Sequence, residues 1–181
     1  MDSVEPLINI VYWLALSIWF GGSVFIAIAA PIIFTELAEQ DPTLPRVLSV
    51  NLDGEHATLL GGELVSKLLD GLWRVTVFCL IALAVTLVSQ WVLIILQRDS
   101  LGPAIVRTSL LIAAGGVAYF NATRVRPRAT TLRSSYVDAA DDPEKAEPLR
   151  ESFNKAQGET VLMLQIEVFV LLGLVAFSAL N

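Results

Sequence analysis

The chain is short of the residues from which redox and metal chemistry are built. Cys79 is its only cysteine, His56 its only histidine, and Met1 and Met163 its only methionines. A single cysteine excludes an internal disulfide, a thiol relay and a cysteine-based zinc or iron–sulfur site. A single histidine excludes bis-histidine haem ligation within the chain. His56 stands beside Asp53 and Glu55, which is thin as a metal site and reads as a solvated loop residue. Gly61-Gly62 and Gly115-Gly116 match neither a Walker nor a dinucleotide loop. No nucleophile–base pair assembles around His56. The expectation is therefore a protein with no catalytic residues, no bound metal and no cofactor, and not an enzyme.

Charge is scarce as well. Asp, Glu, Lys and Arg make up 17% of the 181 residues, against about 25% in an ordinary soluble domain. The net charge is −6, and no basic block is larger than the one at Arg124–Arg128. Nucleic acid is thus not an expected partner. The N-terminus, Met1-Asp2-Ser3-Val4-Glu5-Pro6, is acidic and lacks the basic start of a secretory signal. The first apolar run is expected to be retained.

What the chain has is apolar sequence: 55% hydrophobic residues and a mean hydropathy of +0.65. Four runs approach or exceed the roughly 20 residues a helix needs to cross a bilayer. They are Leu7–Phe34, Leu72–Leu96, Ala104–Asn121 and Thr160–Leu180. The expected fold is all-α, a single integral membrane four-helix bundle with helices over about 7–34, 72–96, 104–121 and 160–180. A short turn, 98–103, joins the second and third helices, and Gly102-Pro103 is a helix-start signal. Leu59, Leu60, Leu64, Leu68 and Leu69 recur at helical spacing among polar residues. They form an amphipathic segment, lying at the interface or extending the second helix. A polar helical hairpin over about 122–159, bent at Pro127, is expected to protrude from the membrane.

The two long loops carry ten Lys and Arg, from Arg46 to Lys155, against Arg98 and Arg107 on the other side. The positive-inside rule then puts the long loops in the cytoplasm and both termini outside, with a bacterial inner membrane as the expected host.

Glu167 is the sharpest functional candidate. It lies about two turns into the fourth apolar run, where a carboxylate is costly unless paired, protonated or wet. Arg74 and Arg124 start or end helices on its side, and Tyr119 and Asn121 are candidate hydrogen-bond partners. Two readings stay open: an interhelical lock and a point on a proton or ion path. A path needs graded polar groups, and the far half offers only Asn9, Tyr12, Ser89 and Gln90. On the first helix, Ser17 and Gly21, and Ser23 and Ala27, form small-xxx-small pairs ahead of Pro31, which reads as a helix-packing seam. Arg124, Arg126, Arg128 and Arg133 fit anionic headgroups or a protein partner, or simply set topology.

One resemblance accompanies these residues. Trp19-x-Gly21, Phe25, Pro31 and Phe34 come first, then Gly62, Ser66 and Leu69. Pro127 with Leu132-Arg133 and, before the last helix, Phe153 complete the order. The pattern resembles a family of small four-helix membrane proteins of unknown function related to animal transmembrane protein 205. The resemblance implies a four-helix bundle and no reaction. Two departures stand out: Gln157 sits where the family usually has a histidine, and 41–57 is an apparent insertion. A weaker similarity of the Trp-x-Gly helix links it to copper-resistance membrane domains, whose His and Met ligands this chain lacks. Residues and resemblance together point to a structural or accessory subunit that contacts membrane lipids and packs against other integral membrane proteins, as in a respiratory or photosynthetic complex. The alternative is a small-solute, proton or lipid transporter using Glu167. The insertion 43–52, rich in Leu and Val, is expected to fold onto the bundle, lipid or a partner.

Overall fold

The computed structural model describes residues 4–40, 56–97, 101–139 and 142–180, so the insertion 43–52 lies outside them. Every described element is helical. The order is α1 (Val4–Gln40), α2 (His56–Gln97), α3 (Gly102–Phe120), a π-turn (Asn121–Val125), α4 (Arg126–Asp138) and α5 (Pro143–Leu180). All four arms, with α3 to α4 counted as one, are long and apolar enough to cross a membrane. The protein is an all-α, membrane-spanning four-helix bundle.

The apolar runs sit inside helices much longer than a bilayer requires. At 1.5 Å per residue, the 42 residues of α2 reach well past the roughly 20 that span hydrocarbon. The amphipathic segment is the first part of α2 and is continuous with the span. The polar hairpin is α4 with the first half of α5. It packs on α2 through Leu59, Tyr136 and Phe153, which form a small core of their own.

Large exposed apolar side chains ring the bundle from Leu7 to Ile32, Leu64 to Leu96, Leu101 to Phe120 and Val161 to Leu180. Such a continuous apolar surface suits lipid, not water. The buried side is a regular stripe. On α5 it reads Phe153, Ala156, Thr160, Leu164, Glu167, Leu171, Leu174 and Ser178, steps of three and four that keep one face inward. Neighbouring arms are antiparallel: α1 packs on α2 and α5, and α3 on α2 and α5.

Prolines mark the local departures. Pro103 and Pro127 lie in the first turns of α3 and α4, where a missing N–H is harmless. The irregularity expected at Pro127 is a π-turn just ahead of it, closed by the Arg126 N–H donating to the Asn121 carbonyl. A regular α-helix there would press the Pro127 ring on the Thr123 carbonyl, and the wider turn accommodates it. Helix α1 runs on through Pro31 to Gln40.

Candidate functional site

Glu167 falls on the buried stripe of α5 and is 4% exposed. Its Oε1 accepts two hydrogen bonds from α1. The Trp19 indole N–H donates at 2.8 Å and the Ser23 hydroxyl at 3.0 Å. Trp19 is fully buried. The same carboxylate lines a small cavity of about 20 Å³ with Thr76 of α2, Asn121 of the π-turn and Arg126 of α4. That is room for about one water molecule. Asn121 is buried, and its Oδ1 has no hydrogen-bond partner among the described residues. Arg126 faces Glu167 electrostatically and donates to Asp70 at 3.1 Å. The carboxylate is therefore held by two donors from α1, with the Asp70-paired guanidinium of Arg126 across the small cavity.

The cation opposite Glu167 is thus Arg126. Arg74 and Arg124, the expected partners, are both exposed. Tyr119 is 62% exposed and tilts against Trp73 with ring centroids 6.5 Å apart. Asn121 alone of the four expected neighbours reaches the site. The two donors, Trp19 and Ser23, come from the stretch read as a packing seam. That seam divides: Ser23 is buried and Ala27 packs on an inner cluster, while Ser17 and Gly21 face outward. A Cβ added at Gly21 would meet nothing within 4 Å, whereas one at Gly22 would meet Leu72 at 2.8 Å. Within the seam, α1 approaches α2 closely at Gly22.

Above Glu167, towards the polar hairpin, lies a larger cavity of about 390 Å³. All four arms line it. Ala30, Phe34, Phe153 and Leu164 give it apolar walls, and Lys67, Arg126 and Arg133 stand among its polar residues. Phe34 lies so close to α2 that a Cβ on Gly61 would meet its ring at 2.6 Å. Gly62 lines the cavity directly. Arg126 borders both cavities. The large cavity sits where the exposed apolar belt gives way to charged helix.

The arginines expected to meet headgroups or partners also tie α4 to its neighbours. Arg126 pairs with Asp70, Arg128 with Glu159 at 3.5 Å and Arg133 with Glu63 at 2.8 Å. Glu63 also binds Lys67 at 2.9 Å. The hydrogen bonds from Lys67 and then Arg133 hold the Glu63 carboxyl below its ordinary range. Arg133 keeps one buried donor, Nε, without a partner among the described residues. His56 is not a solvated loop residue: it lies in α2 and is 6% exposed, with Nδ1 unpartnered among the described residues. The described residues contain no group of three His, Cys, Asp or Glu able to hold a metal.

No family model, curated protein or solved structure matches the chain.

Proposed function

We propose that this protein binds an amphiphile, one with an apolar chain and an anionic head, in the large cavity at the headgroup level. The observation that carries this reading is the cavity's make-up: about 390 Å³ of space with apolar walls, bordered by Lys67, Arg126 and Arg133 against the single carboxylate of Glu63 among the described residues. Its size and its few convergent polar groups are those of a small-molecule site. Arg133 supports it further, because a guanidinium N–H without an acceptor favours an oxyanion. The residues that carry the resemblance to the four-helix family concentrate here: Pro31, Phe34, Gly62, Ser66, Leu69, Arg133 and Phe153 all line this cavity.

Glu167 then serves as the lock beneath the cavity, joining α5 to α1 through Trp19 and Ser23. Transport through the bundle is less favoured. Between Glu167 and the far end, the fully or almost fully buried side chains Leu16, Leu83, Ala114, Leu171 and Leu174 form an apolar layer. The accessory-subunit reading keeps one supporting observation: Ser17 and Gly21 leave open space on the outer face of α1, where another helix can approach closely.

Native mass spectrometry of protein extracted in mild detergent tests the proposal. The wild type should carry a co-purifying anionic amphiphile. Gly62→Phe, which fills the cavity, should lose it, and Arg133→Gln should hold it more weakly. A wild type with no bound amphiphile, or a Gly62→Phe variant that keeps it, overturns the reading.

A further inference from the structure

The opposite end of the bundle holds a second cavity, of about 350 Å³, independent of the first. Each arm brings a polar side chain to it: Asn9 and Tyr12 from α1, Gln90 from α2, Arg107 from α3 and Ser178 from α5. The floor is closed. The Tyr12 and Ser178 hydroxyls are hydrogen-bonded at 2.7 Å, directly over the apolar layer of Leu16 and Leu174. Gln90 donates to Asn9 at 3.2 Å and so braces the wall between α2 and α1. This is a built chamber with a bottom, suited to holding a solute and not to passing one.

Arg107 is its distinctive member. Its Nε is buried and has no hydrogen-bond partner among the described residues. None of the ion pairs among those residues involves it. A half-buried guanidinium with an unpartnered buried N–H, at the edge of an apolar span, favours an anion that meets it. Its planar fork matches the two oxygens of a carboxylate or phosphate. Gln90 and the Tyr12–Ser178 pair supply further polar groups around the same space. Glu5, exposed, is the only acidic lining residue among the described residues.

We infer that this chamber is an oxyanion site, binding a carboxylate or phosphate group with Arg107 as its anchor. The group can belong to a free solute or to the headgroup of a lipid in the adjacent leaflet.

Trp13 lines the chamber and makes binding measurable. The full chain in neutral detergent is titrated with inorganic phosphate, with acetate and with dihexanoyl phosphatidylglycerol, at ionic strength held constant with chloride. The Trp13 contribution to the emission is isolated by comparison with Trp13→Phe. The expected result is a saturable change with at least one probe. It should weaken roughly tenfold or more in Arg107→Gln, the loss of a charge-assisted hydrogen bond, and remain in the exposed-arginine control Arg74→Gln. Response to phosphate or acetate identifies a free-solute site. Response to the short-chain lipid alone identifies a headgroup site. No saturable response to any probe, or one unchanged in Arg107→Gln, overturns the inference. Arg107→Lys, which keeps the charge and loses the fork, separates the two contributions: an oxyanion site predicts intermediate affinity.

Discussion

Trp19 and Glu167 meet across 148 residues of sequence, the indole N–H donating to the carboxylate at 2.8 Å. Both are buried. Trp19→Phe removes that donor and some volume while leaving Ser23 in place. The expected cost is about 1–2 kcal/mol, the upper range for side-chain hydrogen bonds inside membranes. Glu167→Gln keeps an oxygen for both donors and should cost less than Glu167→Leu, which leaves the Trp19 and Ser23 donors unmatched. Thermal unfolding in a fixed detergent ranks the three. If Gln proves as damaging as Leu, the charge and not the acceptor is what the bundle needs.

The glycines of α1 and α2 give a second ordering. Gly21→Leu should leave the bundle's stability unchanged, because its Cβ meets nothing within 4 Å. Gly61→Ala should be felt, because its Cβ would lie 2.6 Å from the Phe34 ring. Displacing that ring is an overpacking change, of about 1–3 kcal/mol, and it also reshapes a wall of the large cavity. Thermal midpoints test the pair. If Gly21→Leu is fully stable yet changes which proteins co-purify, the outer face of α1 is a docking surface.

These positions also show how far the fold was legible. The buried stripe on α5 is readable from its steps of three and four, and it places Glu167 inward without a structure. Its donors are not readable, because which turn of α1 faces Glu167 depends on the register between two helices far apart in sequence. Arg126 was obscured for a different reason. Val125 follows Asn121 on the buried face, as it would in a regular α-helix. The π-turn adds a residue, so that the backbone N–H of Arg126 bonds back to Asn121, and the basic side chain swings towards the core. Arg74 and Arg124 are plausible by depth along the chain, but their faces point outward. His56 is hidden in the sequence because its acidic neighbours suggest a loop, while His56 already belongs to helix α2.

The Glu63 ion pairs give the hairpin a pH dependence. Lys67 and Arg133 lower the folded-state pKa of Glu63 from an ordinary value near 4.3. The contribution is fully present above that ordinary value and is lost as pH falls through the lowered one. Its size is small, since the carboxylate is well exposed and solvent screens it. Amide exchange in α4 should accelerate relative to the transmembrane core as pH drops below about 4. Glu63→Gln should raise the α4 rate at neutral pH and flatten that acid response. An unchanged acid response in Glu63→Gln would assign it to other carboxylates.

The apolar layer between the two ends decides between holding and conducting. Leu16, Leu83, Leu171 and Leu174 are 0–1% exposed and separate the Glu167 node from the Tyr12–Ser178 floor. A proton crossing this layer would need a water chain, and the buried side chains forming it offer such a chain no hydrogen-bonding groups. Vesicles containing the purified protein should therefore dissipate an imposed pH gradient no faster than empty vesicles of the same lipid. Leu171→Asn places a polar group in the layer and should be the variant most able to admit a leak. Glu167→Gln should change nothing in this assay. A wild-type flux abolished by Glu167→Gln, in protein that remains folded, would replace the amphiphile-binding reading with a proton pathway through the same carboxylate.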